Sequence, residues 1–143
     1  MSVNCIATFC VRRFNLVAVL VIVAATIAWD SPRTARGALP TLVYISAADC
    51  APCRTWQNLE ELRFRVSPQF AKLIYREVKS PTLRGLLSDE YWPADLRVFR
   101  DRLDRYVGAP MWLVVRDREI LKKGFGASQW RDDIVPFIRV VTR

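Results

Sequence analysis

Apolar and polar positions are distributed unevenly along this chain. Across residues 14–29, FNLVAVLVIVAATIAW, no side chain is charged, and Arg12 and Arg13 stand immediately before the run. A positive stretch followed by an apolar one is the order found in segments that direct export. The run suits a signal peptide and falls slightly short of the roughly 20 residues of a comfortable transmembrane helix. Small residues at 26–28 fit cleavage, while the following WDSPRTARGALP fits a tether from an uncleaved anchor. Both readings stay open. In both, everything beyond Trp29 is expected on the far side of the membrane, because Arg12 and Arg13 stay inside. The expected location is the bacterial periplasm, either soluble or anchored to the inner membrane.

Residues 30–40, DSPRTARGALP, mix prolines, a glycine and polar residues and read as a linker, so the domain is expected over 41–143. TLVYIS, from Thr41, is a short β-branched and aromatic run ending in small residues, the mark of a buried strand. From Ala51, apolar Trp56, Leu59, Leu62 and Val66 recur at steps of three and four, with Pro52 early, where a helix tolerates it. AKLIYREV reads as a second strand. Over 95–106, Leu96, Phe99, Leu103 and Tyr106 share one face opposite Arg97, Arg100, Asp101 and Asp104, which predicts an amphipathic helix. MWLVV and EILKKGF form a hairpin across residues 116–118, and a last helix is expected over 130–141. Asp132 and Asp133 suit its start, and Pro136 bends or shortens it.

Strands alternating with helices imply a parallel βαβ crossover, and the terminal hairpin adds an antiparallel edge. The expected class is therefore α/β, a central mixed sheet of about four strands flanked by helices, after the N-terminal signal or anchor segment. At 143 residues the chain has room for one such domain.

Charge changes this picture little. The formal net charge is +8, and removing Arg12, Arg13 and Asp30 with residues 1–30 takes away two positive charges and one negative, leaving +7. The charges are dispersed, with acids interleaved in DLRVFRDRLDRY, so they read as solvated helix faces. No basic block or aromatic-basic ladder supports a nucleic-acid partner.

The candidate chemistry lies in ADCAPCRTW. Of four cysteines, Cys5 and Cys10 precede the apolar segment, so only Cys50 and Cys53 share the exported domain. A tetrahedral zinc site needs four ligands, and the chain has no histidine, which argues against a metal. A structural staple remains open, since exported proteins often carry bridges, but closing so short a loop removes little chain entropy. Cys50 falls at a strand-to-helix junction, where unpaired amides and the helix dipole favour a thiolate, and Cys53 follows one turn later. That is the geometry of a redox couple.

These residues resemble the thioredoxin superfamily. VYISAADCAPC is similar to that family's strand running into a CxPC that opens a helix. GAPMWLVVRDREILKKGFGA, over 108–127, is similar to the family's segment from the cis-proline through the terminal hairpin. The likeness covers residues 41–143. It implies a thioredoxin-like fold, with Cys50 as nucleophile, Cys53 as resolving cysteine, Pro110 as the cis-proline and Ala109 presenting its backbone to an extended substrate segment. From sequence alone Pro110 begins a strand equally well in trans, and Gly126, which resembles the glycine bordering the family's substrate groove, serves equally as an ordinary turn residue.

The departures also matter. Asp49 stands where the family often has Trp, and a carboxylate there is expected to disfavour the Cys50 thiolate; Arg54 reads equally as its counterweight or as a side chain pointing to solvent. Tyr44 replaces the buried acid six residues before the first cysteine and is expected in the core. The family's first strand and helix are missing, and SPTLRGLLSDEYWPA is extra chain, whose Tyr91 and Trp92 read as core or as a docking surface. The resemblance implies thiol:disulfide oxidoreduction, with Ala-Pro between the cysteines closer to the reducing members. It implies no metal or organic cofactor. Its expected partners are protein disulfides or thiols, a second protein that resets the pair, and the membrane through residues 14–29 if these are uncleaved. The alternative is a non-enzymatic thioredoxin-like binding module with a structural or regulatory disulfide.

Overall fold

The computed structural model describes residues 38–143, so the apolar segment, most of the linker, Cys5 and Cys10 lie outside the described residues. Four strands form one sheet in the order β2-β1-β3-β4: β1 (Thr41–Ala47), β2 (Ile74–Ser80), β3 (Met111–Arg116) and β4 (Glu119–Phe125). β1 runs parallel to β2, with Thr41 opposite Ile74, and antiparallel to β3, with Ile45 opposite Met111. β3 and β4 form the predicted hairpin, turning at Asp117 and Arg118, both with positive φ. Two such residues in succession give the turn twist that matches paired strands. The mixed sheet and flanking helices fit a thioredoxin-like fold.

β1 is central and buried on both faces, because successive side chains point to opposite sides of a strand. Leu42 and Tyr44 join Trp56, Phe64, Trp112, Trp130, Ile134 and Ile138 on one side. Val43, Ile45 and Ala47 join Val78, Leu86, Trp92, Phe99, Leu113 and both cysteines on the other. The first cluster is largely aromatic: the Trp56 ring lies 4.5 Å from Tyr44, 5.1 Å from Trp112 and 5.0 Å from Trp130, centroid to centroid. Such offset and edge contacts add about 0.5–1.5 kcal/mol each beyond area burial.

The helix that opens at the cysteines, α1 (51–65), contains a π-turn at Gln57–Glu61 between α-helical pieces Ala51–Trp56 and Leu62–Arg65. The wider turn slips the face by about one residue. The predicted apolar stripe is corrected accordingly: Leu59, Leu62 and Val66 are exposed, whereas Phe64 is buried with Cys53 and Trp56. The helix expected over 95–106 shortens to α2 (Arg97–Arg100). Beyond it the bonding tightens to three-residue steps, with Arg102 N–H on Phe99 O and Leu103 N–H on Arg100 O, and the helix stops. Leu96 and Phe99 are buried as the periodicity predicts, but Tyr106 is exposed.

The second strand starts later than AKLIYREV suggests, after a 3-10 turn at Phe70–Lys72. The last helix, α3 (126–141), begins four residues earlier than expected, at Gly126. It contains a π-turn at Trp130–Ile134, closed by Val135 N–H on Trp130 O, just before Pro136. Pro136 has no N–H to continue the regular ladder, and the wide turn accommodates that gap. The extra stretch carries two 3-10 turns, Leu83–Gly85 and Asp89–Tyr91, and Trp92 is core, its indole N–H donating to Leu86 O at 2.7 Å. Among the described residues no helix is long and apolar enough to cross a membrane.

Candidate active site at the Cys50–Cys53 disulfide

Cys50 and Cys53 are joined by a disulfide, their Cα atoms 5.2 Å apart. The parallel pairing of β1 and β2 places them. Ala48 N–H donates to Ser80 O at 2.9 Å, fixing the end of β1 to the end of β2, and Cys50 N–H turns back onto Ala47 O at 3.2 Å. Cys50 is the N-cap of α1, with extended backbone, and Arg54 N–H on Cys50 O opens the helical ladder. Pro52, in the first turn, has no N–H to satisfy there. The N–H of Cys53 donates to Cys50 Sγ at 3.1 Å. An amide and the positive end of a helix thus meet the sulfur, an arrangement that lowers a thiol's pKa once the pair is reduced. A close pair of this kind is compatible with a redox disulfide.

Below it, Tyr44 is fully buried and its hydroxyl donates to Cys53 O at 3.4 Å. Burial pushes the phenol well above its ordinary pKa, and the negative charges of Glu77 and Glu61 push it further. The position where the family resemblance expects an acid therefore holds a group that stays neutral.

Asp49 and Arg54 both lie beside the cysteines, and each has a partner. Arg54 Nη1 donates to Ala48 O at 2.8 Å, buttressing the turn before Cys50. Asp49 Oδ1 accepts the main-chain N–H of Leu83 at 2.9 Å, across 34 residues of sequence.

The Ala109–Pro110 peptide bond is cis. Ala109 is buried in the same cluster as the two cysteines. Pro110 O accepts the N–H of Gly126 at 2.9 Å, which joins the start of β3 to the start of α3, and Gly126 has φ +75°. The Phe125 ring covers Gly108, where a Cβ would stand 2.7 Å from it. The structure thus brings the sequence-predicted residues Cys50, Cys53, Asp49, Arg54, Ala109 and Pro110 to one end of the sheet.

Two grooves flank this end. One, of about 390 Å³, is lined by Pro52, Trp56, Leu59, Ala127 and Arg131. The other, of about 220 Å³, lies by Tyr106, Gly108, Met111, Lys123 and Phe125. Sequence periodicity assigns Leu59 and Tyr106 to the core, and the π-turn and the shortened α2 are what bring them to the surface. Both cysteines are only 1% exposed. Among the described residues no group of three or more His, Cys, Asp or Glu side chains is placed to hold a metal ion. No family model matches the chain, and no curated protein matches it.

Proposed function

We propose that this chain is a member of the thioredoxin superfamily that acts as an exported thiol:disulfide oxidoreductase, working as a reductase of protein disulfides. The observation that carries the reading is the Cys53 amide on Cys50 Sγ at the start of α1. In the reduced protein the Cys50 thiolate attacks one sulfur of a client disulfide. The client's S–S bond breaks, one client sulfur leaves as a thiolate and is protonated, and a mixed disulfide joins Cys50 to the client. Cys53, deprotonated, then attacks Cys50 Sγ. The second client thiol departs and the Cys50–Cys53 disulfide forms. The client gains two electrons and two protons, and a dithiol partner returns them to the pair.

Ala109, buried in the same cluster as both cysteines, and Pro110 after it would receive the client's extended backbone. Asp49 opposes the Cys50 thiolate by its charge, and Arg54 favours it. Residues 14–29 carry the domain out of the cytoplasm, to the periplasm, by cleavage or as an anchor. The reaction needs neither metal nor organic cofactor.

The test is substrate turnover together with trapping. Cys53→Ser leaves the attacking thiol without its resolver, so client proteins accumulate on Cys50 as mixed disulfides, and Cys50→Ser accumulates none. Absence of both turnover and trapping overturns the reading. One observation favours a second reading, a binding module with a structural disulfide: the 1% exposure of both cysteines.

A further inference from the structure

A disulfide that exchanges must be reached by an attacking sulfur in line with the S–S bond. Cys50 and Cys53, each 1% exposed, are not reachable as they stand. They share one buried cluster with Leu86 and Trp92, both of which come from the extra stretch after β2. That stretch is built of short 3-10 turns, and three features tie it down. Leu86 and Trp92 are buried and bonded to each other through the indole N–H. Ser80 Oγ bonds both the N–H and the carbonyl of Thr82. The third tie is Asp49, whose carboxylate accepts the N–H of Leu83 at 2.9 Å.

Leu83 is the first residue of the 3-10 turn Leu83–Gly85, and Thr82 before it makes no side-chain cap. The N–H groups that open a helical turn have no partner within it. Asp49, from the position immediately before Cys50, therefore supplies the cap that the local sequence lacks. A carboxylate is a strong acceptor for such an amide.

We infer that Asp49 is a positioning residue that helps latch the 81–93 segment, which shares a buried cluster with the disulfide, through Leu83 N–H, so that losing this hydrogen bond eases access to the sulfurs. The inference rests on the redox reading above. It reconciles buried sulfurs with exchange chemistry: the latch opens, the segment swings away from the redox turn, and a sulfur becomes reachable. It also separates two roles of Asp49. Its charge acts on the thiolate and belongs to any variant that loses the charge, whereas the latch needs only an acceptor oxygen on one side and an N–H on the other.

The experiment measures the rate at which the oxidised full chain is reduced by excess tris(2-carboxyethyl)phosphine, followed by thiol labelling. In this reaction the phosphine attacks one sulfur, the S–S bond breaks, water supplies the oxygen of the phosphine oxide, and two thiols are released. Asp49→Ala removes the acceptor. Leu83→Pro removes the donor at a first-turn position, where proline is tolerated, and Thr82 before it is already extended. Both are expected to speed reduction about three- to tenfold, the range of one lost hydrogen bond. The double variant should be no faster than either alone. Asp49→Asn keeps an acceptor oxygen while losing the charge, so it should speed reduction clearly less than Asp49→Ala does.

Rates unchanged in both Asp49→Ala and Leu83→Pro overturn the latch, and so does Asn accelerating as much as Ala, which would make the effect one of charge. A disulfide that resists reduction in every variant overturns the redox reading itself. Near-ultraviolet circular dichroism of each variant shows whether the aromatic core is intact, and the donor-side and acceptor-side variants check each other.

Discussion

The main-chain N–H of Cys53 donates to the sulfur of Cys50 at 3.1 Å, and the carbonyl of the same Cys53 accepts from Tyr44 at 3.4 Å. Cys53 is thus held on both sides of its backbone, by the Cys50 sulfur and by a buried phenol. The sulfur of Cys50 faces an amide, and no acidic side chain takes the place of Tyr44 beneath the pair.

In the reduced protein, Cys50, whose sulfur meets the Cys53 amide at the helix start, should therefore be alkylated faster than Cys53. Alkylation rates of the Cys53→Ser and Cys50→Ser proteins compare the two sulfurs one at a time. Equal rates for both cysteines contradict the helix-terminus account.

Tyr44 gives the fold a pH limit on the alkaline side. Burial first, then Glu77 and Glu61, raise its folded pKa above that of the unfolded chain, and burial does the same for Tyr75. The unfolded state then releases these protons first, so the stabilisation is complete below about pH 10 and is lost as pH rises beyond it. Denaturant unfolding above pH 10 should show stability falling with pH, and Tyr44→Phe should reduce that slope at a cost at pH 7 of about 0.5–1.5 kcal/mol, the lost hydrogen bond to Cys53 O.

Two buried tryptophans should respond differently to the same change. Trp92 Nε1 donates to Leu86 O, whereas Trp112 Nε1 is buried with no protein partner. Trp92→Phe leaves a carbonyl unpaired, adding about 1–3 kcal/mol to the packing loss; Trp112→Phe removes an unsatisfied donor and should cost less. Chemical denaturation of the two variants checks the order.

Gly124 is required by close approach. A Cβ there would lie 2.7 Å from Ile134 Cγ1 and 3.0 Å from its Cδ1, and Ile134 is fully buried where α3 packs on β4. Gly124→Ala should destabilise by about 1–3 kcal/mol without altering the reduction potential of the disulfide. A shift in potential would show that strain at β4 reaches the redox pair.

Much of this was legible in the sequence, for identifiable reasons. TLVYIS and MWLVV are short apolar runs bounded by breakers, so strands β1 and β3 were visible, and the strand-to-helix junction at ADCAPC pointed to the candidate site. Leu59, Leu62 and Val66 misled because a three-and-four spacing assumes a regular helix, and a π-turn at Gln57–Glu61 leaves no apolar signature. Tyr106 misled in the same way, since periodicity does not show where bonding changes to three-residue steps. The partnership of Asp49 with Leu83 was not legible, because it joins residues 34 apart through a loop whose path no local pattern encodes.

The most direct measurement is the reduction potential of the Cys50–Cys53 pair in the full chain, equilibrated in dithiothreitol or glutathione buffers and read by thiol trapping. The account predicts a reversible couple near the thioredoxin value, about −270 mV. A pair that remains bonded in buffer poised well below about −300 mV behaves as a structural bridge, and contradicts it.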